Sequence, residues 1–228
     1  MMTMETKISF KNSHEKKLSA ILSTPAPDKI LPVIILCHGL DTGKDATTNV
    51  KLADIFLKNN IASFRLDFFA HGESEGKIED RNVEEFVDDI LCAIKFLKAK
   101  GYKKFGIYGG SFGGVASVIA ASRNPDIKIM ALKAAGMGQS RKMPNYKKDF
   151  DSKSWIKAGL KVKIPTLIVH GSVDEEIEVS LAKELAKSIK SSKLEIFKDA
   201  DHRFSKKEDF DRCVDILSEF IISNIEKI

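Results

Sequence analysis

The stretch Lys104-Phe105-Gly106-Ile107-Tyr108-Gly109-Gly110-Ser111-Phe112-Gly113-Gly114 leaves this chain the fewest choices. A short apolar run suited to a strand stops at Gly109-Gly110-Ser111-Phe112-Gly113. A small-residue, helix-competent segment, Val115 to Ala121, follows at once. Strand, turn and helix in so few residues need a sharp reversal, across which side chains two positions either side of the apex would collide. Glycine at 109 and 113 has none. This is the Gly-x-Ser-x-Gly pattern of a nucleophile elbow, which strains the serine backbone and holds its hydroxyl clear of the sheet. The same letters would also serve a turn that only lets a helix pack close to a strand, so the surrounding chain must carry the case.

Lys7 to Phe10 and Lys17 to Leu22 alternate enough to predict an antiparallel hairpin. Pro32 to Cys37 is a continuous apolar run, the pattern of a strand buried on both faces, and it discharges into His38-Gly39-Leu40-Asp41-Thr42-Gly43. Thr47 to Asn59 reads as a helix with Val50, Ala53 and Leu57 on one face, and Ile61 to Leu66 as another buried strand before the loop Asp67 to Ser74. Val83, Phe86, Val87, Ile90, Leu91, Ile94 and Leu97 keep helical spacing, and Gly101 is placed to close that helix. After the elbow come a strand over Ile127 to Ala135, a strand over Pro165 to His170 and a helix over Glu178 to Lys190. A strand over Leu194 to Phe197 and a helix over Glu208 to Ile225 complete the chain. Strands alternating with helices across short connections predict an α/β fold, a mostly parallel sheet with helices on both faces.

Length and composition exclude much else. The 228 residues favour a single domain spanning residues 1–228. The net charge of +5 comes from lysines spread along the chain, without a dense basic block, which argues against nucleic acid as a partner. Three cysteines are too few and too scattered for a disulfide framework or a zinc site, and a reducing cytoplasm suits them. The polar N-terminus lacks the apolar core of a signal peptide, and the longest apolar run falls far short of a membrane span. No metal or cofactor is expected.

A serine hydroxyl becomes a useful nucleophile when a base takes its proton, and the base works best when a carboxylate orients it. Of five histidines, His14 reads as solvated. His38, His71 and His170 each precede a glycine, as loop-bracing histidines that bond backbone do. His202 lies between the last strand and the last helix. In an open parallel sheet the loops leaving the carboxyl ends of strands gather at one edge, which would bring His202 and the His170-to-Asp174 loop to Ser111. Asp174 is the carboxylate best placed to orient His202; Glu175 and Glu176 are neighbours that could substitute, and Asp199 and Asp201 flank His202 too closely to face its ring. For the oxyanion, where losing one donor costs about 3–4 kcal/mol of barrier, the backbone N–H groups of Phe112 and Leu40 are the candidates.

On His38-Gly39, the loop Asp67 to Gly76, the Ser111 elbow, and Asp174 with Asp201-His202, the chain resembles the α/β-hydrolase superfamily from about residue 15 to its end. The phrases Asp67 to Gly76, Gly110 to Gly114 and Ala200 to Phe204 look most like small cinnamoyl (feruloyl) esterases and serine-aminopeptidase-like hydrolases. Those esterases carry a cap insertion that shapes the acyl pocket. Here the matching segment, residues 136–163, is short: Met143, Tyr146 and Trp155 either lean over the site as a stunted cap and touch substrate, or seal the sheet edge.

The reading is a serine esterase for small carboxylic esters, with Ser111, His202 and Asp174 as triad and an acyl-enzyme intermediate. A thioesterase, acyltransferase or peptidase on the same machinery is an alternative, since all share the acyl-enzyme. A non-catalytic ligand-binding protein is the reading from another class. The oligomeric state stays open, a homodimer included.

Overall fold

The computed structural model describes residues 4–25, 31–137, 153–225 and 227. Its strands are β1 (Met4–Lys11), β2 (Lys17–Thr24), β3 (Val33–Cys37), β4 (Ala62–Leu66), β5 (Phe105–Gly110), β6 (Ile127–Lys133), β7 (Thr166–Gly171) and β8 (Ser192–Phe197). Its α-helices are α1 (Thr47–Lys58), α2 (Val83–Ala99), α3 (Phe112–Arg123), α4 (Ser154–Gly159), α5 (Val179–Ser188) and α6 (Lys207–Ile225). The strands form one sheet in the order β1-β2-β4-β3-β5-β6-β7-β8. β1 and β2 make the expected hairpin and β2 pairs antiparallel with β4, while β4, β3 and β5 to β8 run parallel.

β3 shows why the parallel strands read as unbroken apolar runs. Val33, Ile35 and Cys37 enter one core, which α2 and α3 cover; Ile34 and Leu36 enter a second core beneath α1 and α6. With both faces covered, alternation is lost from the sequence. On α2, the predicted stripe of Val83, Phe86, Val87, Ile90, Ile94 and Leu97 is buried, while Leu91, expected with them, is only partly buried at its edge. Asn82 caps the helix by accepting the Glu85 N–H at 2.9 Å. Gly101, at φ +95°, closes it: its N–H donates to Lys98 O at 2.9 Å and the Tyr102 N–H to Leu97 O at 3.1 Å.

The differences from expectation are local. β6 stops at Lys133 rather than Ala135, because Ala134 at φ +46° turns the chain out of the extended conformation. α3 begins at Phe112, directly after Ser111, and β8 begins two residues earlier than expected. Met143 and Tyr146 lie outside the described residues. Trp155 is not part of the wall of the cleft described below: on α4 it is fully buried, packed in the same apolar cluster as α3. The indole has too much apolar area to leave at an edge when a neighbouring helix can cover it. The expectation that Trp155 binds substrate is corrected; it is a core residue.

What positions the site is the crossover at β3. The chain passes from β3 to β4 on one side and then to β5 on the other, and Cys37 pairs with Gly109. The loops leaving β3 and β5 therefore emerge side by side, opening the crevice that such a switch point creates.

Candidate active site

Ser111 sits between β5 and α3 with φ +51° and ψ −123°, a conformation that costs a non-glycine residue on the order of 1–3 kcal/mol and persists only when its surroundings enforce it. Those surroundings are tight. A Cβ on Gly109 would stand 2.7 Å from Gly113 O, and one on Gly113 would stand 2.3 Å from His38 O. The turn thus admits no side chain at either position, as the spacing of the two glycines predicts.

Ser111 Oγ lies 3.1 Å from His202 Nε2, and His202 Nδ1 lies 2.8 Å from Asp174 Oδ2. The two loops are bound to each other below this contact. Val173 N–H donates to Ala200 O at 3.2 Å, and a Cβ on Gly171 would fall 2.2 Å from the same oxygen. Asp174 Oδ1 accepts the N–H groups of Glu176 (2.9 Å) and Ile177 (2.8 Å), so the carboxylate cannot rotate freely. The rival acids are placed elsewhere. Asp201 accepts the Ser205 N–H at 2.8 Å, and Glu176 comes no nearer to His202 Nε2 than 3.9 Å.

The sequence reading missed a second histidine on Asp174. His170, with no solvent exposure, has Nε2 at 3.2 Å from Asp174 Oδ2 and 2.9 Å from Ile177 O, and its Nδ1 has no partner. Bonding backbone was expected of it; the carboxylate was not. Burial alone would push the Asp174 carboxyl up, but donors from His170, His202 and the Ile177 N–H outweigh it and hold the group well below the usual carboxylate range. Asp174 is an anion that accepts from every side, suited to orient an imidazole and to balance it once protonated.

The loop after β3 completes the arrangement. A Cβ on Gly39 would stand 3.3 Å from Ser111 Cβ, which fixes how closely that loop approaches. The peptide joining Gly39 to Leu40 is oriented through its oxygen: Gly39 O accepts His38 Nδ1–H at 2.7 Å, Thr42 Oγ1–H at 3.2 Å and Thr42 N–H at 3.3 Å. His38 Nε2 in turn accepts the Phe68 N–H at 3.1 Å, which settles the tautomer. Burial, with His71 at 4.9 Å, holds His38 down at about 3, so its ring is neutral. The N–H groups of Leu40 and Phe112 have no backbone acceptor among the described residues, and both residues line the same cleft as Ser111 and His202.

Two further charged residues, Asp67 and Lys133, belong to the cleft, and the sequence reading gave neither a role of its own. Asp67, at the end of β4, accepts the Lys44 N–H at 2.7 Å, Lys44 Nζ at 2.5 Å and the Glu73 N–H at 3.0 Å, tying the β3 loop to the loop after β4. Burial pushes the Lys44 amine down, but Asp67 and Glu73 together hold it above the ordinary lysine value. Lys133 ends β6 and lines the cleft. The signal in each case was a charge at the end of an apolar strand. The cleft measures about 1620 Å³. Among the described residues no group of three or more His, Cys, Asp or Glu could hold a metal ion, and no helix is long and apolar enough to cross a membrane.

Comparison with known proteins agrees with this architecture. Residues 28–158 match the family described as serine aminopeptidase, S33. Alpha/beta hydrolase domain-containing protein 17B of Xenopus laevis is 28% identical over 151 residues, which are 64% of this chain and 51% of that protein. The Caenorhabditis elegans protein aho-3, of the same description, is 33% identical over 127 residues, 53% of this chain and 37% of that one. The chain thus spans about half or less of the length of the curated relatives it matches. Among solved structures, Est1E of Butyrivibrio proteoclasticus with ferulic acid bound superposes with a TM-score of 0.83 at 21% identity, covering 96% of this chain and 99% of that chain. Dienelactone hydrolase of Anabaena variabilis gives 0.80 at 19% identity, covering 98% and 99%. At such identities these superpositions show a shared α/β-hydrolase fold.

Proposed function

The chain belongs to the serine aminopeptidase, S33, family of the α/β-hydrolase superfamily, and from that premise we propose that it hydrolyses small carboxylic esters through an acyl-enzyme on Ser111. The observation that carries the proposal is the run of contacts from Ser111 Oγ to His202 Nε2 and from His202 Nδ1 to Asp174 Oδ2, at 3.1 and 2.8 Å. His202 takes the hydroxyl proton as Oγ attacks the ester carbonyl, and Asp174 stabilises the imidazolium. The oxyanion of the tetrahedral intermediate lies against the N–H groups of Leu40 and Phe112. As the intermediate collapses, His202 returns the proton to the departing alcohol. It then removes a proton from water as the water oxygen attacks the acyl carbon, and returns that proton to Ser111 Oγ as the acid is released.

Ferulic acid in Est1E and the aminopeptidase description of the family suggest aryl esters and amides as further substrates. The machinery is common to all of them, so the leaving group must be read from rates. The test is labelling of the wild-type protein and of Ser111→Ala with a fluorophosphonate, followed by hydrolysis of p-nitrophenyl acetate, p-nitrophenyl butyrate, an acyl-CoA and an aminoacyl anilide. Labelling and turnover that both vanish in Ser111→Ala, with the esters fastest, support the proposal. A folded wild-type protein that takes no label overturns it in favour of ligand binding.

A further inference from the structure

Among the described residues five cations line the cleft, and four of these have a carboxylate beside them. Lys44 pairs with Asp67 and Glu73 at 2.5 and 2.7 Å, Lys207 with Asp211, Arg203 with Glu176 at 3.8 Å, and Lys7 with Glu73 at 3.9 Å. Lys133 is the exception. Its residue is 9% exposed, and no carboxylate among the described residues lies within 4.0 Å of its ammonium. Its protein contacts are a long hydrogen bond to Arg203 O at 3.4 Å and the face of Phe204, whose centroid lies 4.7 Å from Nζ. Burial accordingly pushes its amine below the ordinary lysine value, against more distant attraction from Asp201 and Asp174.

An amine buried in this way is costly to keep charged unless an anion pairs with it. Its place explains what it could meet. Lys133 pairs with Gly110 across the β5–β6 ladder, and its carbonyl accepts the Ser111 N–H at 2.9 Å. Ile129 and Ala131, which precede it on alternate positions of β6, and Phe204, which carries its ammonium, all belong to the core beneath α1 and α6. Lys133 therefore enters the cleft from that side, where Thr47, Thr48, Tyr108 and Ser205 add hydroxyl groups to the wall.

We propose that Lys133 forms an anion subsite beside the nucleophile and that the natural substrate is an ester bearing a carboxylate, which this ammonium receives. A carboxylate fits better than a phosphate, because one ammonium balances one charge. The proposal rests on the serine-hydrolase reading for its catalytic assay only.

Two matched pairs test it, with the carboxylate on the acyl side or on the leaving group: mono-p-nitrophenyl glutarate against p-nitrophenyl butyrate, and 4-acetoxybenzoate against its methyl ester. In the wild-type protein at least one anionic ester should exceed its neutral partner tenfold or more in kcat/KM. Lys133→Met, which keeps the apolar stem, should lower that ratio at least tenfold. Wild-type ratios near one for both pairs overturn the subsite, and they need no variant. A ratio that stays constant while both rates fall in Lys133→Met also overturns it, leaving Lys133 as a support for the His202 loop. If Ser111 takes no fluorophosphonate and no ester turns over, the hydrolase reading has failed. Calorimetry with glutarate and with 4-hydroxybenzoate then decides the subsite alone: binding lost in Lys133→Met supports it, and equal or absent binding refutes it.

Discussion

His38 offers a test of the proposed oxyanion hole that leaves Ser111, His202 and Asp174 untouched. The substitution is His38→Leu, which keeps most of the volume and removes both ring nitrogens. Phe68, which is fully buried, then loses the acceptor of its N–H, and an orphaned buried donor costs about 1–3 kcal/mol. Gly39 O loses its shortest bond, 2.7 Å, but keeps those from Thr42 at 3.2 and 3.3 Å, a net loss of about 0.5–1.5 kcal/mol. Together these lower stability by about 1.5–4.5 kcal/mol, to be read from the urea midpoint. The Leu40 N–H belongs to the same peptide as Gly39 O, so its aim loosens without being lost. Complete removal of an oxyanion donor costs about 10²–10³ in kcat, so a peptide still held by Thr42 should lose roughly tenfold to a hundredfold, with KM changing less. Thr42→Val removes only the 3.2 Å bond and should cost under about threefold. A His38→Leu protein with the expected loss of stability and kcat within about threefold of wild type would refute the idea that this histidine aims the Leu40 N–H.

Three other perturbations follow from the geometry. Burial pushes Asp89 up to about 7, against donation from the Phe69 N–H and the Asn12 amide, so the stability it lends is complete below its unfolded value of 3.8 and is lost as pH rises through 7. The difference in urea midpoint between wild type and Asp89→Asn should therefore change between pH 5 and pH 8, in the sense that wild type weakens; parallel curves would show that Asp89 does not titrate there. Gly113→Ala would put a Cβ 2.3 Å from His38 O and 2.7 Å from Cys37 O, both rigid backbone atoms. It should cost at least about 1–3 kcal/mol and abolish fluorophosphonate labelling, whereas Gly39→Ala, with its nearest atom at 3.3 Å, should be milder in melting temperature. Phe86 stacks on Phe68 at 4.5 Å and meets the edge of Phe112 at 5.1 Å. Phe86→Ala should cost about 3–5 kcal/mol by denaturant titration and lower kcat through the loosened Phe112, and a loss under about 1.5 kcal/mol would contradict that packing.

Much of this protein is determined by its sequence alone, because the features concerned are local. Continuous apolar runs report burial on both faces of a strand, and the stripe from Val83 to Leu97 reports burial on one face of a helix. Gly109 and Gly113 report a turn too sharp for side chains, and the core packing of β3 and α2 follows those patterns. The candidate residues Ser111, Asp174 and His202 were legible because each stands in a loop that leaves the carboxyl end of a strand, and a parallel sheet collects such loops at one edge. Tertiary structure alone decided which groups meet. The strand order puts β3 beside β5 and so brings Leu40 to Ser111. The joining of the β7 and β8 loops selects Asp174 for His202, turns Asp201 to Ser205 and leaves Glu176 at 3.9 Å. His170 and Lys133 each end a strand, and only the neighbours of those strands, the Asp174 carboxylate for one and an open cleft for the other, separate a bracing group from one with chemistry to do. Trp155 marks the same boundary from the other side: an aromatic in an irregular segment could have covered substrate or core, and the packing of α4 on α3 settled it in the core. Periodicity records how deeply a residue is buried, whereas its partners depend on strand order and backbone direction, which residues far apart in the chain set together.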